Sequence, residues 1–168
     1  MQTRTTDGAP GIRNPGEADR LTRAAAESSN PAETESLLRR ALAADPYCGP
    51  AHNNLGATFL AQGRLYEAAA EFEQAKKLMP GHPDPRMNLA FTFESAGRTE
   101  EALAEYAAAL EAQADHMPSM QALARLQIRS GRKDAQTPRL LREISLRGET
   151  AKWREWAARE ALRAAEVH

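Results

Sequence analysis

The chain has 168 residues and a mass of 18.4 kDa, room for one compact domain or a short repeat array and too little for two large independent domains. Lys and Arg number 22 against 23 Asp and Glu, and the formal net charge of -1 excludes a generic binder of nucleic acid or of an anionic membrane surface. Apolar residues reach 42%, aromatics only 5%, and about one residue in five is Ala, which predicts an all-α fold packed through small side chains. The single cysteine, Cys48, rules out an internal disulfide and cannot alone build a zinc site, so a reducing, cytoplasmic setting is expected.

Residues 1–14 read as a flexible leader. Asp7-Gly8-Ala9-Pro10-Gly11 and Asn14-Pro15-Gly16 punctuate the stretch, no apolar run could serve as a signal-peptide core, and Arg4 and Arg13 read as solubilising charges. No window approaches the roughly 18 uninterrupted apolar residues of a membrane-spanning helix. A soluble protein is the expectation.

From Pro15 onward the sequence repeats with a period of 34. Leu21, Leu55, Leu89 and Leu123 share one register, as do Gly63, Gly97 and Gly131. Ala41, Ala75 and Ala109 form a third column, Pro46 and Pro80 a fourth, and Leu38, Phe72, Tyr106 and Leu140 an apolar fifth. Each unit reads as two amphipathic helices: in the unit from Gly49, Leu55, Phe59 and Leu60 share one face, and Leu65, Ala68, Phe72, Ala75 and Leu78 another. Gly56 and Ala68 are small where the two helices must approach, and Gly63-Arg64 and Gly97-Arg98 suit the tight reversal between them. One pair cannot cover its own apolar side, so the units must stack. The boundaries are 15–48, 49–82, 83–116 and 117–150, the middle two strong and the outer two degenerate. Thr137-Pro138 predicts a helix start, Gly148 a stop, and Thr150 the start of a C-terminal capping helix over 151–168. Trp153 and Trp156 on that helix either bury the open flank of the last unit or form a patch for a partner or for self-association.

These segments resemble the tetratricopeptide-repeat family, most clearly through Asn54-Leu55-Gly56, Phe59, Gly63, Ala68, Phe72, Ala75 and Pro80, and through Asn88-Leu89-Ala90, Phe93, Gly97, Ala102, Tyr106 and Ala109. His52 and Arg86 stand where the family has a large aromatic, and Thr22 and Ser29 where the first unit would carry glycines. The resemblance implies a right-handed superhelical solenoid of antiparallel helix pairs whose first helices line a concave groove.

Catalytic chemistry finds little footing. His82 and His116 fall 34 residues apart and therefore on different layers, and His52 has no Cys or carboxylate at helical ligand spacing. No phosphate-cradling glycine loop, nucleophile elbow or paired-cysteine motif is present. No enzyme activity, cofactor or metal is expected. Glu67, Glu71 and Glu73 read as the solvated face of a second helix.

Binding is better supported. The resemblance implies that Asn54 and Asn88 face the groove, where an amide both donates to and accepts from a ligand backbone. Met87 and Phe91 offer an apolar seat. Arg20, Arg23, Arg125 and Arg129 fall on the same face by register and suit carboxylates, although solvated helix charges read equally well. Some chaperone-binding members clamp a C-terminal carboxylate, but here only Asn54 and loosely Arg23 fit, and Asp19, Asp84 and Asn88 stand at other clamp places. The expectation is a non-enzymatic adaptor or scaffold for an extended or helical peptide with acidic and apolar residues. Alternatives are a small secretion or assembly chaperone and a regulatory subunit of a larger complex. Charge is unevenly spread: ten acids face four bases over 65–116, and eleven bases face six acids from Met117 onward. Binding at the basic end is expected to weaken with salt.

Overall fold

The structure, a computed structural model, describes residues 13–165, and these form nine α-helices. The first helices of successive pairs are α1 (Pro15–Glu27), α3 (Gly49–Ala61), α5 (Pro83–Ser95) and α7 (Met117–Ser130). Each starts 34 residues after the last and carries a proline in its first turn, where a missing N–H costs nothing. Their partners are α2 (Pro31–Ala44), α4 (Leu65–Leu78), α6 (Thr99–Ala112) and α8 (Thr137–Arg147). The last helix, α9 (Ala151–Ala165), begins 34 residues after α7 and so occupies the register of a fifth first helix.

The reversal from first to second helix is built the same way three times. Gly63, Gly97 and Gly131 take φ of +74°, +75° and +69°, the left-handed region that favours glycine. The next residue's N–H then returns to a carbonyl five back, Arg64 to Phe59 at 2.9 Å, Arg98 to Phe93 at 2.8 Å and Arg132 to Gln127 at 2.9 Å. Arg64 and Arg98 also stack on Phe59 and Phe93, 4.1 and 4.3 Å from the ring centres. The first unit, with Ser29 in place of glycine, turns through an extended Ser28 and caps α2 with Asn30 and Pro31. After Gly131 the chain departs from the period: α8 begins at Thr137, where Asp134 accepts from the N–H groups of Gln136 and Thr137 at 2.8 and 3.1 Å. It ends at Gly148, the stop that the sequence predicts.

Packing follows the columns. Leu38, Phe72 and Tyr106 are essentially inaccessible, and Thr22, Gly56 and Ala90 share the register position that in the second unit faces Phe72. A Cβ at Gly56 would lie 2.8 Å from the Phe72 ring, so this glycine is what admits a phenyl group between α3 and α4. Thr22 is tolerated in the first unit because its register partner is the smaller Leu38 and its hydroxyl donates to the Ala18 carbonyl at 2.8 Å.

Residues 1–12 of the predicted leader lie outside the described residues. Arg13 is not merely solubilising: its guanidinium binds both carboxylate oxygens of the buried Asp45 at 2.8 and 3.1 Å and sits 4.7 Å above the Tyr47 ring. Asn14 caps α1 by accepting from the Glu17 N–H. Among the described residues, no helix is long and apolar enough to cross a membrane.

Candidate functional site

Consecutive first helices α1, α3 and α5 touch one another, whereas their second-helix partners do not pack together to that extent. The first helices therefore form the inner, more tightly curved face, and the residues that bridge them mark its floor.

On α3 and α5 that floor is a chain of amides. Asn88 Nδ2 donates to Asn53 Oδ1 at 3.0 Å, and Asn53 Nδ2 approaches Asn54 Oδ1 at 3.5 Å. All three are half-buried. Among the described residues Asn54 Nδ2 and Asn88 Oδ1 have no hydrogen-bond partner, so a donor and an acceptor remain unspent on neighbouring layers. Asn53, which joins them, was not singled out in the sequence; an Asn-Asn pair ahead of a packing leucine was the available signal. One turn beyond Asn88, Phe91 is 46% exposed, while Met87 packs half-buried against the core of α5 to α9 and is wall more than seat.

The arginines separate into two groups. Arg20 pairs with Glu17 on its own helix at 2.7 Å, and Arg23 is exposed. Arg125 and Arg129 both hold Glu94, whose side chain is only 8% accessible, with shortest contacts of 2.9 and 2.8 Å. Tyr106 donates to the same carboxylate at 3.0 Å, and burial together with the Glu94 charge pushes its phenol pKa far above the usual value. Glu94 falls in a column otherwise occupied by Ala26, Leu60 and Ile128. A lone carboxylate in an apolar column, with arginines around the equivalent place one layer on, was a readable signal for this cluster.

Beyond Arg125 the inner face continues onto α9. Arg125, Lys152, Trp153, Trp156 and Arg159 line an open cavity of about 370 Å³. The two indoles pack edge to face, with centres 5.3 Å apart at 86°, and both also rest against the second core. They thus do part of each job foreseen for them, covering the flank of α7 and presenting aromatic surface.

His52, His82 and His116 are tied into the scaffold. His52 Nδ1 lies 2.6 Å from Glu71 Oε2 and Nε2 lies 3.0 Å from the Pro46 carbonyl, so both ring nitrogens face acceptors and the pKa is raised, chiefly by Glu71. Glu71 is accordingly not a solvated charge like its neighbours; the antiparallel pairing of α3 and α4 brings it across to His52. Asp84 lies between His82 at 3.6 Å and His116 at 3.3 Å, joining two successive layers through one carboxylate. Among the described residues no three His, Cys, Asp or Glu side chains are arranged to hold a metal ion.

Spare amides, an exposed phenyl group and cations thus lie along one curved face of a repeat-built stack of helix pairs. The tetratricopeptide-repeat family's pattern matches residues 59–126 of the chain. Solved structures place the fold in the same class. The first such domain of Spaghetti (RPAP3), bound to an HSP90 peptide, superposes with a TM-score of 0.67 at 16% identity over 72% of this chain and 99% of that one. The Sgt2 domain from Aspergillus fumigatus gives 0.65 at 19% identity over 75% and 89%. An O-GlcNAc transferase from Thermobaculum terrenum gives 0.69 at 23%, over 78% of this chain but only 26% of the transferase. The array is thus a right-handed superhelical solenoid, all-α as predicted. No curated protein sequence matches the chain.

Proposed function

We propose that the protein is a non-enzymatic adaptor that holds an extended peptide segment of a partner along its inner face. The observation that carries this reading is the pair of unspent amide atoms, Asn54 Nδ2 and Asn88 Oδ1, on adjacent layers joined through Asn53. An extended backbone alternates donors and acceptors about every 3.3 Å, and a donor and an acceptor on neighbouring helices suit it where two lysines or two carboxylates would not. Phe91 supplies an apolar surface beside them, and burying even part of a phenyl ring adds affinity that a few exposed hydrogen bonds lack. An HSP90 peptide on the Spaghetti domain supports the use of this fold for peptide capture. Asn88 bonding to Asn53 and the acidic Asp84 argue for a different ligand chemistry in this chain.

Glu94 changes which arginines matter. Because Arg125 and Arg129 are already committed to it, they serve the scaffold first, and Arg20 and Arg23 stand at the opposite end of the array. Cys48 is buried and unpaired, which suits a reducing cytoplasm. The test is capture by the full chain against Asn54→Ala/Asn88→Ala, with circular dichroism confirming that the variant stays folded. Loss of peptide or partner capture by the folded variant supports the reading, and unchanged capture overturns it.

A further inference from the structure

The inner face carries cations at its α9 end that the scaffold does not use. Lys152 and Arg159 line the cavity beside Trp153 and Trp156, and among the described residues neither makes an ion pair. Arg125 closes the third side, and the carboxylate it holds, Glu94, is shared with Arg129. Two guanidinium groups on one carboxylate leave a positive charge over, and Lys152 and Arg159 add to it. Glu155, between them in sequence, does not line the cavity.

The geometry points to a carboxylate-binding end of the groove: we infer that an aspartate or glutamate of the bound peptide docks on Lys152 and Arg159, with its neighbouring apolar side chain against Trp153 and Trp156. This deepens the peptide-groove reading above and rests on it. Charge complementarity selects the occupant, since three cations around a partly desolvated aromatic floor repel a basic segment and attract an acidic one. The indoles add what a bare cationic patch lacks, a broad apolar surface that favours a hydrophobic residue next to the acid. Register also sets a spacing. Phe91, Arg125 and Arg159 occupy equivalent positions on three successive first helices. Taking roughly 10 Å for each of the two helix-to-helix steps as the scale, an extended peptide that puts an apolar residue on Phe91 needs about six residues to reach Arg159.

Trp153 and Trp156 are the only tryptophans in the chain, so intrinsic emission reports this cavity directly. The probes are synthetic ten-residue peptides with a leucine and, six positions away, a Leu-Glu-Glu segment, together with versions carrying glutamine, phosphoserine or lysine in place of the glutamates. The expected result is that the glutamate peptide changes the tryptophan emission of the full chain, that the glutamine and lysine versions bind about tenfold or more weakly, and that Lys152→Ala/Arg159→Ala costs a similar factor. Lys152→Glu/Arg159→Glu should exchange the preference towards the lysine peptide. If the peptide binds and depends on Asn54 and Asn88 but ignores the Lys152 and Arg159 changes, the carboxylate site is wrong and the groove reading stands. A preference for phosphoserine over glutamate also overturns it. If no peptide of the set binds, this assignment falls, and the groove reading is then judged separately by partner capture with Asn54→Ala/Asn88→Ala.

Discussion

Arg125 on α7 donates from one guanidinium nitrogen to both carboxylate oxygens of Glu94 on α5, at 2.9 and 3.0 Å. With Arg129 at 2.8 Å and Tyr106 at 3.0 Å on the same group, a single carboxylate ties α5, α6 and α7 together. Glu94→Gln keeps the shape and removes the charge that three donors share. It should destabilise the fold by about 1–3 kcal/mol, the range for a hydrogen-bonded charge, and lower the melting temperature by about 2–4 °C per kcal/mol for a chain of this size. Spectrophotometric titration should also show the Tyr106 phenol ionising more readily. Calorimetry with no change in melting would show that the cluster contributes nothing.

The His52–Glu71 pair makes stability pH-dependent in a definite direction. The folded-state pKa of His52 is raised above its ordinary value of 6.5. Its contribution is therefore fully present below about pH 6.5 and is lost as pH climbs through the folded-state pKa. On the acid side, Arg13 holds the Asp45 carboxyl below its usual range, as Arg39 does for Glu35, so those contributions are lost as pH falls through the depressed values. Denaturation midpoints should pass through a maximum in mildly acidic solution and decline above it. His52→Gln should abolish the decline on the alkaline side; a decline that persists in the variant would assign it to other groups.

Gly56 and Phe72 should be energetically coupled. Gly56→Ala places a methyl group 2.8 Å from the ring and should cost about 1–3 kcal/mol through overpacking. Phe72→Leu, which imitates the Thr22–Leu38 pairing of the first unit, should make that methyl group tolerable. A double-mutant cycle measured by urea denaturation should return a favourable coupling of about 0.5–3 kcal/mol. Strict additivity would mean that the helices relax apart instead of clashing.

The columns that repeat were legible because packing imposes them on every unit alike. Leu55 and Leu89 are buried in the first core and Leu123 in the equivalent place of the second, and Gly63, Gly97 and Gly131 make the same turn. Residues that break the period carried the information that was harder to read. Glu71 lies 19 residues from His52, a distance set by how two antiparallel helices align and by no helical spacing. Glu94 interrupts an apolar column, and its partners arrive from the next layer. Arg13 lies in a segment without hydrophobic pattern, so only the position of Asp45 reveals that it is docked. The place of α9 as a fifth first helix was in the numbering, since 117 and 151 differ by one period, but the late start of α8 obscured it.

The central claim is that partners bind on the inner face of the first helices. A photoreactive phenylalanine analogue at Phe91, 46% exposed on that face, can be compared with the same group at Tyr66, 88% exposed on the second helix α4. Crosslinking in native extract should yield a discrete partner from position 91, absent from position 66 and lost when Asn54→Ala/Asn88→Ala is added. Equal or stronger capture from position 66, or capture at 91 that survives the two asparagine changes, would contradict the account.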